Sequence, residues 1–366
     1  MKYTTFVGSL TDAEHPAGIY ILESDADTGD FRLVRTVDAG ANPSYMALTR
    51  DCTRLYTVTG RPGFGGKGHN GGLAAYRVDG DNLTPINCVP TGHTVPCYLA
   101  LSPDERTLVW AEYSHATAGF ADLAEDGSIS ARRQMVQHVG DGPNKPRQDK
   151  AHAHCSEVTP DSRYQLVVDL GIDQIKAYDF VNRSDGMKEC PKVTINTFPP
   201  GAGPRHVVFQ KNGRIMYVIF ELYNLVAGYR YTGESFEYVE TRALIADPAL
   251  NRDCKASAVK LSEDGTQLFC SNRDCSMRAR DTITVFNTDP DTGRMEFLAE
   301  TPVGGSFPRD FEFMPGGKFL LVGLKRNDQI ASFAYDRATG RFDLVKKMDG
   351  FHRTLYFRFK TQGAKA

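Results

Sequence analysis

The chain has 366 residues, of which 41% are hydrophobic and 24% charged, with a formal net charge of −2 and 8 cysteines. That balance is ordinary for a globular protein and gives no field for nucleic acid or an anionic membrane surface. No run approaches a membrane span or a signal-peptide core, and the cysteines form no CxxC pair, so a cytoplasmic protein with reduced thiols is expected.

Residues 2–38 alternate apolar and polar positions in three runs, with a turn at Asp27-Thr28-Gly29, and read as three strands. From residue 42 onward one pattern recurs. A polar turn precedes an apolar strand at Arg50-Asp51-Cys52-Thr53-Arg54, Pro103-Asp104-Glu105-Arg106-Thr107, Pro160-Asp161-Ser162-Arg163, Lys211-Asn212-Gly213-Arg214, Glu263-Asp264-Gly265-Thr266 and Pro315-Gly316-Gly317-Lys318. The intervals are 51 to 57 residues. The second residue of each turn is Asp, Asn or Gly, types expected where a tight hairpin needs positive φ. A second turn follows in most units, as at Asp126-Gly127, Thr232-Gly233, Asp291-Thr292-Gly293 and Ala338-Thr339-Gly340.

Each unit therefore holds four antiparallel strands, A to D, which is the repeat of a β-propeller blade. Six complete units lie between residues 42 and 350. The ends supply a seventh: residues 2–38 provide B, C and D, and residues 354–359 provide an A. The expectation is one all-β domain over residues 1–366, a seven-bladed propeller with four strands per blade. Its C-terminal strand should pair with the N-terminal blade, closing the ring and removing two exposed edges.

Strand A lines the channel of a propeller, and B returns beside it, so starts of A and ends of B share one face. Starts of A contribute His152-Ala153-His154, Pro204-Arg205-His206 and Pro308-Arg309-Asp310, and ends of B contribute Asp169, Glu221-Leu222-Tyr223 and Ser271-Asn272-Arg273. The other ends of these strands carry only generic turn residues. One mouth should thus gather the unusual chemistry.

The run Gly201-Ala202-Gly203-Pro204-Arg205-His206, followed by Glu221-Leu222, resembles the signature of propeller-type 6-phosphogluconolactonases. So do His152-Ala153-His154 with Asp169-Leu170-Gly171-Ile172-Asp173, Ser271-Asn272-Arg273, and Pro308-Arg309-Asp310-Phe311. The fungal carboxy-cis,cis-muconate lactonising enzyme belongs to the same fold family. The chain departs from the pattern at Ala151, Glu112, Phe220 and Gly323-Leu324-Lys325, and a glycine-rich loop at 62–72 replaces a short B–C turn. That loop lacks the GK[ST] ending of a phosphate-binding P-loop.

The resemblance implies hydrolysis of a sugar lactone, most concretely 6-phospho-D-glucono-1,5-lactone to 6-phosphogluconate. Such chemistry needs an activated water, stabilisation of an oxyanion and a proton for the leaving ring oxygen. His154, His206 and Glu221 are the expected catalytic groups. Arg205, Arg273 and Arg309 are the expected anion clamp, since a guanidinium binds phosphate in two-pronged fashion, with Asp169 and His152 as further substrate contacts. His152 and His154 have the i, i+2 spacing that can hold a metal, but no third ligand is evident, so neither metal nor cofactor is expected. The expected partner is a small anionic lactone, without nucleic acid or membrane, bound by a monomer or weak homo-oligomer. Two alternatives are lactonising activity on a muconate-type acid and a non-catalytic binding module, since a fold does not fix a function.

Overall fold

The computed structural model describes residues 1–64, 70–197, 199–247, 254–276 and 280–361, with side chains at all of these except 131–133. Among the described residues the strands form seven four-stranded antiparallel sheets, and the helical content is a single 3-10 turn at Arg183–Asp185. The residues expected to close the ring do so. Thr354–Lys360 pairs antiparallel with Lys2–Ser9, from Thr4 opposite Lys360 to Gly8 opposite Tyr356, and the sheet continues through Ile19–Asp25 and Phe31–Val37.

The burial of the strands follows from how blades pack. Second strands such as Ile215–Phe220 are buried at every position because they meet a neighbouring blade on each side. Outermost strands such as Phe31–Val37 are mostly exposed. Trp110, inside a second strand, is buried in the largest core cluster. The fourth blade has the weakest outer edge, a strand of two residues at Ile195–Asn196.

The A–B turns differ from expectation in one respect. Positive φ, between 57° and 72°, falls on the third residue of each turn: Cys52, Glu105, Ser162, Gly213, Gly265 and Gly317. Gly316 alone is positive at the second position as well. The recurrent Asp serves instead as a cap. Asp104 Oδ1 accepts from Ser102 Oγ and the Arg106 amide, and Asp161 Oδ1 does the same for Thr159 Oγ1 and the Arg163 amide. These are side-chain-to-backbone turns that offset the strain of a non-glycine residue in the left-handed region.

At the start of strand A, four consecutive blades interrupt their ladder. The register shifts between Ala153 and Cys155, between Pro204 and His206, between Ala256 and Val259, and between Pro308 and Phe311. His154 and Arg205 are thereby left without an opposing residue, and in the last two blades the pairs Ser257-Ala258 and Arg309-Asp310 fall in the gap. A bulge bends its strand and re-aims a side chain. These bulges open onto one end of the channel.

Candidate functional site

The loop before Arg205 explains the glycines around it. Asp173 Oδ2 accepts the Gly201 amide at 2.6 Å, and its Oδ1 accepts the Gly203 amide at 2.9 Å. Both glycines are left-handed, with φ of 89° and 65°, which lets the chain wrap the carboxylate. Pro204 then opens the strand opposite Phe220, and Arg205 and His206 emerge at the bulge.

Glu221 is the hub of the mouth. Its Oε1 accepts Arg147 Nη2 at 2.7 Å, and its Oε2 lies 3.0 Å from both Arg205 Nε and Arg273 Nη2. Burial alone would raise the Glu221 carboxyl, but Arg273, Arg205 and Arg147 together hold it well below the ordinary carboxylate range. Arg205 is 1% exposed and also donates from Nη1 to Ser257 O at 2.7 Å. The same Nη1 lies 3.2 Å from His206 Nε2. The His154 and His206 rings meet edge to face at 5.2 Å, and Tyr98 and Tyr113 pack against them at 5.1 and 5.6 Å. Burial and the neighbouring Arg205 push both histidines well below their usual range, so both are neutral at pH 7. Nδ1 of His154 is buried without a hydrogen-bond partner.

A cavity of about 290 Å³ opens over this cluster, lined among others by Tyr113, Arg205, His206, Arg309 and Lys325. Arg309 and Lys325 have no carboxylate within ion-pair distance among the described residues. Burial, then the repulsion of neighbouring guanidiniums, lowers Arg309 to about 10 and Lys325 to about 8. Arg205 falls to about 9 for the same two reasons. Each remains protonated at neutral pH, and each would be relieved by an anion.

The model of one family, described as lactonase, 7-bladed beta-propeller, matches residues 4–358. The chain belongs to that family. It is 30% identical over 347 residues to a 6-phosphogluconolactonase of Bacillus subtilis, covering 94% of each chain. A 6-phosphogluconolactonase of Formosa agariphila is 28% identical over 342 residues, covering 92% of this chain and 93% of its own. The structure of a periplasmic gluconolactonase from Pseudomonas aeruginosa superposes with a TM-score of 0.88 at 28% identity, covering 99% of both chains.

Within this lactonase-family propeller, the structure groups His154, Arg205, His206, Glu221, Arg273 and Arg309 at one end of the channel. It separates the three expected clamp residues by what they already hold. Arg273 donates to Ala256 O at 2.6 Å as well as facing Glu221, and is 3% exposed, whereas the Arg309 guanidinium has no hydrogen-bond or ion-pair partner among the described residues. Of the expected site residues Arg205, His206 and Arg309 line the cavity, His154, Glu221 and Arg273 pack behind them, and Asp169 and His152 are not brought to it. The Asp169 carboxylate is fully buried, accepting the His152 and Gly171 amides and His138 Nδ1 at 2.7, 2.9 and 2.7 Å. His152 has its ring nitrogens 3.0 Å from Tyr113 O and 3.2 Å from Asp149 Oδ1, and its ring stacks on Tyr113 at 4.2 Å. Both therefore shape the wall behind Tyr113.

Arg147 escaped the sequence reading because it lies in the long connection between the third and fourth blades, outside any strand pattern. The usable signal was topological, since every D-to-A connection crosses the same face. The glycine-rich loop 62–72 lies partly outside the described residues, at 65–69.

The opposite mouth also corrects an expectation, for it carries more than turn residues. A cavity of about 330 Å³ there is lined by Glu157, Lys260, Asp310, Glu312 and Arg358 among others. Lys260 Nζ meets Asp310 Oδ1 at 3.3 Å and Glu312 Oε2 at 2.7 Å, and Arg358 Nη1 meets Glu312 at 3.0 Å. Tyr45, His206, Asp310 and Tyr356 line both cavities and form the partition between them.

Proposed function

We propose that the protein hydrolyses a sugar lactone at the arginine-rich mouth, with 6-phospho-D-glucono-1,5-lactone as the first substrate to test. The observation that carries this reading is the uncompensated positive charge of Arg309 and Lys325 beside two neutral histidines. An anionic substrate supplies the missing charge. A neutral imidazole, His206 in this scheme, takes a proton from water as its oxygen attacks C1 of the lactone. The oxyanion that forms on the former carbonyl is stabilised by a neighbouring guanidinium. As the tetrahedral species collapses, the C1–O5 bond breaks, the imidazolium returns its proton to O5, and the new carboxylic acid loses its remaining proton to solvent. Glu221 fixes Arg147, Arg205 and Arg273 and balances part of their charge.

The phosphate on C6 is the finer part of the proposal. Two relatives named 6-phosphogluconolactonase support it, whereas the Pseudomonas relative is named a gluconolactonase, so an unphosphorylated lactone is the second reading. A sugar phosphate as substrate would place the protein in the cytoplasm, and free thiols at all eight cysteines accord with that. The test is hydrolysis above the uncatalysed rate for 6-phosphogluconolactone, gluconolactone and a carboxymuconolactone, with wild type and Arg205→Ala. The expected result is a preference of at least tenfold in kcat/KM for the phosphorylated lactone. Equal rates on both gluconolactones would reject the phosphate, preference for the carboxymuconolactone would favour the muconate-type reading, and no turnover would favour a binding module.

A further inference from the structure

The seam of the ring carries a side-chain cluster that the mouth does not use. After Lys2–Ser9 the chain turns on Asp12, whose Oδ1 accepts the amides of Glu14 at 3.1 Å and His15 at 2.9 Å. This turn brings His15 Nδ1 to 3.0 Å from the same oxygen. Across the seam, His352 lies two residues before the closing strand Thr354–Lys360. Its ring stacks on His15 with centroids 4.0 Å apart and planes within 7°. His352 Nε2 lies 2.9 Å from Asp12 Oδ2 but out of line for a hydrogen bond, so this buried nitrogen has no hydrogen-bond partner. The residue itself is only 6% exposed.

On the far side of the ring, His352 Nδ1 lies 3.2 Å from Asp328 Oδ2, and Asp328 Oδ1 accepts the Arg353 amide at 2.8 Å. A carboxylate on one imidazole nitrogen fixes the tautomer and turns the other nitrogen outward as a lone-pair donor, the arrangement found behind metal-binding histidines.

We propose that Asp12, His15 and His352 bind one divalent transition-metal ion of the zinc class, which clasps the first blade to the closing strand. Their ligand atoms lie within 4.8 Å of one another. A tetrahedral zinc with bonds of about 2.0–2.1 Å has ligand atoms about 3.3 Å apart, so the exposed His15 ring must swing out of its parallel stack on His352 to aim its lone pair at the same ion. Two imidazoles and one carboxylate are a borderline donor set, suited to zinc and its neighbours rather than to magnesium or calcium. The fourth position is left for water. The pair considered from sequence, His152 and His154, lacks this arrangement, because the nitrogens of His152 face Tyr113 O and Asp149.

The experiment is calorimetric titration of chelator-stripped full-length protein with zinc chloride, alongside thermal unfolding with and without the ion. The expected result is saturable binding of one equivalent and a raised Tm. His15→Ala, on an exposed loop, should weaken zinc binding at least tenfold and abolish the Tm shift while lactone turnover is unchanged. Asp12→Asn retains the turn and should weaken binding likewise. Cobalt-loaded protein should show tetrahedral visible absorption without a thiolate charge-transfer band. No saturable binding, undiminished affinity in both variants, or a thiolate band would each overturn the proposal.

Discussion

The two ends of the channel enclose similar volumes, about 290 and 330 Å³, yet they have opposite electrostatic character. At the lower end, Lys260 and Arg358 stand among Asp310, Glu312 and Glu157, and the network is self-compensating. At the upper end, Glu221 already serves Arg147, Arg205 and Arg273, and Arg309 and Lys325 remain in excess. Volume therefore does not distinguish a binding site here; charge balance does. A buried network whose charges balance leaves no need for a ligand, whereas an excess of one sign is what an ionic ligand would relieve.

Removing the hub should give the largest effect. Glu221→Gln leaves three guanidiniums without their carboxylate, so denaturant unfolding should show a loss of ~3–5 kcal/mol, and turnover should fall to background. Wild-type stability in this variant would mean that the arginines are balanced some other way. His206→Asn should lower kcat by ~10²–10⁴-fold with KM changed only a few-fold, as for a proton-transfer group. In wild type, neutral histidine is the competent form and its pKa is depressed. The acid limb of kcat/KM should therefore lie below the ordinary histidine value of about 6.5, and a limb at or above that value would exclude His206 as the base.

Arg309→Ala should cost ~10–10³-fold on a phosphorylated lactone, about 1.5–4 kcal/mol for a lost charge-assisted contact, and much less on gluconolactone. Equal losses on both would move the anion contact elsewhere. The lower mouth should respond in stability alone. Burial raises Glu157 to about 7, partly opposed by the Tyr98 hydroxyl. Its folded pKa lies above the unfolded value, so the stability it contributes is complete below about 4.5 and is lost as pH rises through 7. Glu157→Gln retains the tyrosine contact without ionising. It should gain about 1 kcal/mol on wild type at pH 8, a figure kept small because the carboxylate borders an open cavity, and leave turnover within about threefold.

The blades were legible because turns recur at near-constant spacing, and the closure because the fragments at the two ends complement each other. The convergence of His154, Arg205, His206 and Arg309 was legible as topology. The device that aims them was not. A bulge breaks the two-residue period on which sequence patterning relies, so nothing in the alternation marks Arg205 or Arg309 as inward. Asp169 illustrates the reverse difficulty. A carboxylate at the end of a B strand is a fair candidate for substrate, but three donors from its own neighbourhood consume it, and sequence does not reveal who those donors are. Lys260 and Glu157 each stand one residue before the end of their strand, inside the apolar alternation rather than in the turn that follows, so no turn motif marks them.

The closing strand also sets an order on folding. Each blade from the second to the seventh can complete its own hairpins from local chain, but the first cannot, since its innermost strand is Thr354–Lys360. Joining the two chain ends carries the largest loop-closure entropy in the molecule and belongs late in folding. Until then two strand edges stand unpaired, and the open ring is the species most prone to pair with another chain. The seam between first and last strands is thus where the kinetic stability of the whole ring is decided.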